Sequence, residues 1–126
     1  MINIKKSRGN KGENEALEYL KKNGYKILEK NYTALKMGEI DIIAEKDGYI
    51  IFVEVKTRSE NSIASPQEFV TPSKQQKIIK SATFYLMNNK TDLQPRFDII
   101  EVFIEFTKIE RINHIENAFT LERIKR

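Results

Sequence analysis

Three residues in one short stretch could do chemistry together: Asp41, Glu54 and Lys56, within GEIDIIAEKDGYIIFVEVKTR at 38–58. Asp47-Gly48 divides this stretch into two β-rich apolar runs, the strongest short-range signal for a hairpin. A tight turn there pairs Lys46 with Tyr49. Counting back sets Ile43 opposite Phe52, Asp41 opposite Glu54 and Glu39 opposite Lys56. Period-2 alternation then puts Asp41, Ile43, Ile50, Phe52, Glu54 and Lys56 on one face. Directly opposed residues have Cβ atoms about 4.5–5.5 Å apart. Two carboxylates that close repel, so one takes up a proton or a cation sits between them. The spacing alone leaves a second reading open, in which both strand ends emerge into water and the charges are solvated.

Two helices must flank this hairpin. The first is expected from about Lys11 to Asn23, ended by Gly24, with Ala16, Leu17 and Leu20 as its apolar stripe. Glu13 precedes these by three, four and seven positions, so it lies on the same stripe. It faces a cleft edge, or it is a first-turn acid complementing the helix dipole. The second helix starts at Thr71-Pro72, with Thr71 as N-cap and Pro72 at the first helical position. Its buried face carries Ile78, Ile79, Ala82 and Leu86. Gln75 falls on that stripe, as a half-buried hydrogen-bonder or a cleft residue. Lys74, Lys77 and Lys80 give the helix a basic side.

The remaining elements follow from periodicity. Residues 1–10 read as a loose basic arm, and Tyr25–Tyr32 as a first strand. The segment SENSIASPQEFVTP is a long loop, of a length that is usually functional or disordered. Residues 88–95 form another loop. Phe97–Phe106 is a strong strand, Ile109–Ile115 a weaker one paired with it, and a short helix is expected around Ala118 and Phe119. Arg96 and Asp98 open a core strand, and His114 is a lone histidine; all three are expected to be structural. The order is αβββαββ, an α/β chain (α+β mixed sheet) with helices packed on a central sheet.

Composition sets outer bounds. A chain of 126 residues, 40% hydrophobic and 32% charged, makes one domain with a real core. A net charge of +4 leans toward polyanionic partners. With no cysteine there is no disulfide framework and no thiolate metal site, which suits a reducing cytoplasm. No apolar run approaches the ~18 residues of a membrane span, so no membrane partner is expected. The N-terminus lacks the apolar stretch of a signal peptide.

Assembled, the motifs are Gly9, Gly12 and Glu13 opening a helix, GEIDIIA at 38–44, FVEVKTR at 52–58, TPSKQ at 71–75 and RFD at 96–98. In this order they resemble the bacterial YraN family, also known as UPF0102, over nearly the whole chain. That family is similar to the restriction-endonuclease-like PD-(D/E)xK superfamily, the archaeal Holliday junction resolvases above all. The resemblance implies a restriction-endonuclease-like core and a metal-dependent, structure-selective endonuclease acting on DNA, with branched or junction DNA as candidate substrates. Asp41, Glu54 and Lys56 match the superfamily signature, although isoleucine precedes Asp41 where the signature has proline. Glu13 matches the acid on the first helix, and Gln75 a recurrent glutamine on the second.

On that resemblance Asp41, Glu54 and the Val55 main-chain carbonyl, with Glu13 in support, would hold Mg²⁺ or Mn²⁺. Lys56 would orient the attacking water, and Gln75 would hold a water or a phosphate oxygen. Arg58, Lys74, Lys77, Lys5, Lys6, Arg8 and Lys11 are candidate phosphate contacts. The partner would be nucleic acid, DNA before RNA, and the chain would act as a homodimer in the cytoplasm. The competing reading is a non-catalytic nucleic-acid-binding module on the same fold.

Overall fold

The computed structural model describes residues 4–34, 36, 38–59, 70–106 and 108–120, with the side chains of 4–9 outside that description. Its elements are α1 (Ile4–Lys22), β1 (Lys26–Thr33), β2 (Glu39–Lys46), β3 (Tyr49–Arg58), α2 (Pro72–Asn88), β4 (Gln94–Glu105) and β5 (Lys108–Phe119). This is the expected αβββαββ order. The five strands form one mixed sheet in the order β1-β2-β3-β4-β5. Among the described strands only the β3–β4 pair is parallel, and α2 is its crossover.

The β2–β3 hairpin closes as the sequence requires. Asp47 and Gly48 both take left-handed φ, 51° and 86°, as the favoured two-residue hairpin turn demands of its central pair. Lys46 pairs with Tyr49 and Ile43 with Phe52, in the expected register. The ladder runs out at Ile42↔Val53. Beyond it β2 stays paired with β1, through Tyr32↔Ile40 and Thr33↔Glu39. The two strands therefore part just where Asp41 and Glu54 begin.

Each face of the sheet buries one helix. On the α1 face, Ala16, Leu17 and Leu20 pack with Ile42, Ala44, Ile51, Val53, Ile100, Val102 and Ile104. On the α2 face, Ile78, Ile79, Ala82 and Tyr85 pack with Ile40, Ile43, Ile50, Phe52, Phe97 and Ile99. Strict alternation would send Ile40 and Ile43 to opposite faces; they share one, next to the stretch where Asn31 of β1, between the Lys30↔Ile42 and Tyr32↔Ile40 pairs, takes a left-handed φ of 51°. Full burial of each large side chain contributes roughly 1.5–3 kcal/mol.

Three expectations need correction. Helix α1 begins at Ile4, seven residues before the expected start at Lys11. The stretch KKSRGNKG carries no apolar stripe, so nothing in its pattern announced a helix. Strand β4 starts at Gln94, which shortens the loop before it. Ala118 and Phe119 are the end of β5, not a helix. Phe119 pairs with Phe97 and stacks on its ring at 5.0 Å, while Phe97 stacks on Phe52 at 5.6 Å. That aromatic row fixes the end of β5 in the sheet. The expected loop through 60–69 lies outside the described residues.

Candidate active site

The parting of β2 from β3 leaves Val55 without a main-chain partner from β2, and Asp41 fills the gap. The Val55 N–H donates to Asp41 Oδ2 at 2.8 Å. Glu54, one residue earlier on β3, is 6% exposed. A carboxylate that deeply buried needs a counter-charge, and two lysines supply it. Lys74 Nζ lies 2.7 Å from Glu54 Oε1, and Lys56 Nζ lies 3.8 Å from the same oxygen.

Helix α2 brings Lys74 there. Thr71 caps the helix by accepting the Lys74 N–H at 3.2 Å, and Pro72 stands in the first turn. A cation in a first turn opposes the helix dipole. The Glu54 contact accounts for its being tolerated. At the other end of the same strand gap, Gly38 O accepts a hydrogen bond from Ser81 Oγ at 3.4 Å, tying the entry of β2 to α2.

Glu13 comes from the opposite layer. Gly12 is buried against β3, and a Cβ built on it would overlap Thr57 Oγ1. With Thr57 in place, the glycine lets α1 lie this close to the strand, and that approach carries Glu13 toward Asp41 and Glu54. The electrostatics register it. Burial, then Glu39 and Glu54, push the Glu13 carboxyl above its ordinary range.

Asp41 carries the largest effect. Burial first, then the charge of Glu54, raise its carboxyl from 3.8 to about 7, with Glu13 and Glu39 adding to the rise. The Val55 N–H works the other way. Lys56 is lowered by burial and by the neighbouring Lys74 ammonium, against the pull of Glu54 and Asp41. Lys74 is raised, because its contact with Glu54 outweighs the cost of burial. The site thus holds excess negative potential at Asp41 and two crowded ammonium groups beside Glu54.

Other expected residues fall differently. Gln75 donates from Nε2 to Val70 O at 3.0 Å, securing the chain ahead of α2. The Arg58 side chain is 13% exposed and sits 3.6 Å from Glu101 Oε2, so it is committed within the fold rather than spread on the surface. Lys77 is exposed and Lys11 partly so, whereas Lys5, Lys6 and Arg8 have backbone on α1 but side chains outside the description. Glu39 is exposed on β2 and opposite Thr33, not Lys56. Among the described residues no three acidic or imidazole side chains gather into a ready metal cage.

Carboxylate oxygens such as those of Asp41 and Glu54 are the donor type that a hard divalent cation takes. The charge of Glu54 raises the Asp41 carboxyl, a repulsion of the kind a dication relieves. Mg²⁺ commonly keeps several waters and takes only one or two carboxylates, so a third protein acid is not required.

Sequence reasoning missed a second polar cluster, around Asp98 of β4 on the side facing α1. Asp98, fully buried, accepts two bonds from Arg96 (2.9 and 2.8 Å), faces His114 Nε2 at 2.7 Å and takes the Asn117 N–H at 3.0 Å. The hydrogen bonds from His114, Arg96 and Asn117 outweigh burial and hold its carboxyl below the usual range. His114 Nδ1 lies 3.0 Å from Tyr19 OH, and Arg96 donates to Tyr25 OH at 3.2 Å. This network binds β5 to β4 and to α1, the structural role expected of Arg96, Asp98 and His114. No helix among the described residues is long and apolar enough to cross a membrane.

Residues 12–102 match the profile of Uncharacterised protein family UPF0102. A UPF0102 protein of Caldanaerobacter subterraneus is 52% identical over 118 residues, covering 91% of this chain and 96% of that one. One from Clostridioides difficile is 50% identical over 115 residues, 90% of this chain and 97% of its own. One from Flavobacterium psychrophilum is 49% identical over 111 residues, 88% and 92% respectively. By family profile and by near full-length identity, the chain belongs to the UPF0102 family.

Proposed function

We propose that this protein is a metal-dependent, structure-selective endonuclease hydrolysing phosphodiester bonds in DNA. The observation that carries the reading is that, where β2 leaves β3, Asp41 takes the Val55 N–H and feels the charge of Glu54, whose carboxylate lies 3.8 Å from the Lys56 ammonium. A plain core hairpin has no use for a buried acid, a half-buried acid and a partly buried lysine at its open end.

The chain's own groups divide the work. Asp41 is fixed by the Val55 N–H, which aims its carboxylate into the gap between the strands. Asp41, Glu54 and the Val55 carbonyl would hold Mg²⁺ or Mn²⁺, with Glu13 supporting through water. When bound, such an ion polarises the phosphate and lowers the pKa of the attacking water. Lys56 donates to the attacking water or to a phosphate oxygen, and its ammonium offsets charge developing there. Lys74, drawn off Glu54, and the exposed Lys77 contact neighbouring phosphates. Such contacts position a duplex without reading its bases, so preference is for structure rather than sequence. Gln75 acts indirectly by holding Val70 ahead of α2. Action in the cytoplasm and as a homodimer completes this reading.

One observation favours the alternative, a nucleic-acid-binding module that does not cleave. Glu54 is already neutralised by Lys74 and Lys56. Calorimetric titration of Mn²⁺ into wild type and Asp41→Ala separates the two readings. Binding by wild type that the substitution abolishes supports the endonuclease; equal heats from both proteins remove the acid pair as the site.

A further inference from the structure

Phe106 is the most exposed of the large apolar side chains among the described residues, at 79%. It also holds a left-handed backbone, with φ of 55°. Among the described residues the other non-glycines in that region are Asn31, Asp47 and Asn117. Asn and Asp tolerate it because their short polar side chains bond locally; a bulky aromatic has no such relief. Phe106 follows Glu105, which pairs with Lys108, so it caps the β4–β5 hairpin. Hairpin turns of this kind select Asn, Asp or Gly. A phenylalanine there is doubly unfavourable, strained and facing water.

The placement of the hairpin gives that residue a purpose. In the parallel β3–β4 ladder, Glu54 stands beside Ile99 and Arg58 beside Phe103. Phe106 therefore lies beyond the end of β3, on the same end of the sheet as the acid pair. Seven residues of strand separate it from Ile99, roughly 20 Å at about 3.3 Å per residue. Along the hairpin the Arg111 guanidinium lies 3.7 Å over the Phe103 ring, and Lys108 is exposed beside the tip.

We propose that the β4–β5 hairpin is a stacking wedge: Phe106 packs on an unpaired or splayed base where a DNA duplex is interrupted. This deepens the endonuclease reading and rests on it, supplying the structure preference that the acid pair alone cannot. An aromatic face stacks on any base, so the contact is blind to sequence. A backbone phosphate about six nucleotides away, at about 3.4 Å per step, then falls within reach of Asp41 and Glu54. A second protein copy is the poorer occupant. One aromatic side chain buries about 150–250 Å², against about 800 Å² per partner in a stable interface. The flanking Glu105, Lys108, Glu110 and Arg111 are charged.

The test is binding without cleavage, in EDTA, to duplex and to a branched DNA carrying 2-aminopurine at the branch. Wild type, Phe106→Trp, Phe106→Ala and Phe106→Asn are compared, with melting temperature and sedimentation measured on each. The wedge predicts a loss of about five- to a hundredfold in branched-DNA affinity for the Ala and Asn forms. Duplex affinity stays unchanged, and the Trp form retains branch binding. The Asn form also melts higher, because it relieves the strained turn; a merely structural Phe106 would make it melt lower. Unchanged branch affinity in Phe106→Ala, with wild type still binding DNA, overturns the wedge alone. So does a shift from dimer to monomer with DNA binding intact, which would make Phe106 a self-association contact. Failure of wild type to bind either DNA overturns both the wedge and the reading beneath it.

Discussion

Lys74 Nζ stands 2.7 Å from Glu54 Oε1, across the gap between the start of α2 and the end of β3. The lysine is a resident counter-ion on an acid whose proposed work is to hold a divalent cation. Its side chain is 41% exposed, so it can leave without opening the core. The pair links α2, the crossover between β3 and its parallel neighbour β4, to the chemistry at the strand end.

Lys74→Ala therefore separates two effects. Competition for Glu54 falls, so Mn²⁺ affinity measured by calorimetry rises roughly fivefold, the equivalent of about 1 kcal/mol for a half-exposed ion pair. DNA affinity moves the other way, and the slope of log K against log salt shrinks by about 1 as one phosphate contact is lost. A fall in Mn²⁺ affinity would mean that Lys74 organises the acids instead of competing for them.

Asp41 makes stability depend on pH in a defined sense. Its folded pKa of about 7 lies above the ordinary 3.8, so the folded state holds the proton more tightly than the unfolded chain. Ionisation of Asp41 then opposes folding. The associated stability is fully present below about pH 4 and is lost as pH rises through 7. Asp41→Asn keeps an oxygen for the Val55 N–H and cannot ionise. It should stabilise the protein by roughly 1–3 kcal/mol at pH 8 and by little at pH 4. Denaturant midpoints at the two pH values check this; an equal effect at both would remove the ionisation argument.

Gly12 should be intolerant of even one added methyl. Gly12→Ala drives a Cβ into Thr57 Oγ1 and costs about 1–3 kcal/mol by overpacking. Thr57→Ala in the same chain should recover most of that loss. Additive destabilisation in the double variant would show that the close approach of α1 to β3 is not what requires the glycine.

Much of the site was legible because a tight turn fixes register. Asp47-Gly48 allows few hairpins, so Asp41 and Glu54 could be placed near each other by counting. Stripe spacing put Glu13 on the inner side of α1 for the same reason, and Thr71-Pro72 marked the start of α2. What counting could not see is where a ladder stops. Asp41 and Glu54 matter because pairing ends at Ile42↔Val53, and that ending depends on β1 holding the first residues of β2. The Lys74–Glu54 contact was equally hidden, since it depends on how α2 docks after a crossover. Lys74 read only as part of a basic face. The Asp98 cluster draws on residues as far away as Tyr19 and Tyr25, which no local pattern connects. The end of β5 was misread because Ala118-Phe119 in a polar stretch looks helical until Phe97 is known to lie beneath it.

The central claim is that Asp41, Glu54 and Lys56 form a cation-dependent phosphodiester site, and the most direct measurement is cleavage. End-labelled branched junction, flap, single-stranded and duplex DNA, with an RNA control, are incubated with Mg²⁺ or Mn²⁺ and either wild type or Lys56→Ala. The account predicts that wild type cuts interrupted DNA in preference to intact duplex, that chelation stops it, and that Lys56→Ala lowers the rate at least a hundredfold, on the order of the effect of losing one transition-state donor. Salt-sensitive binding with no cleavage of any substrate, or cleavage that Lys56→Ala leaves unchanged, would contradict it.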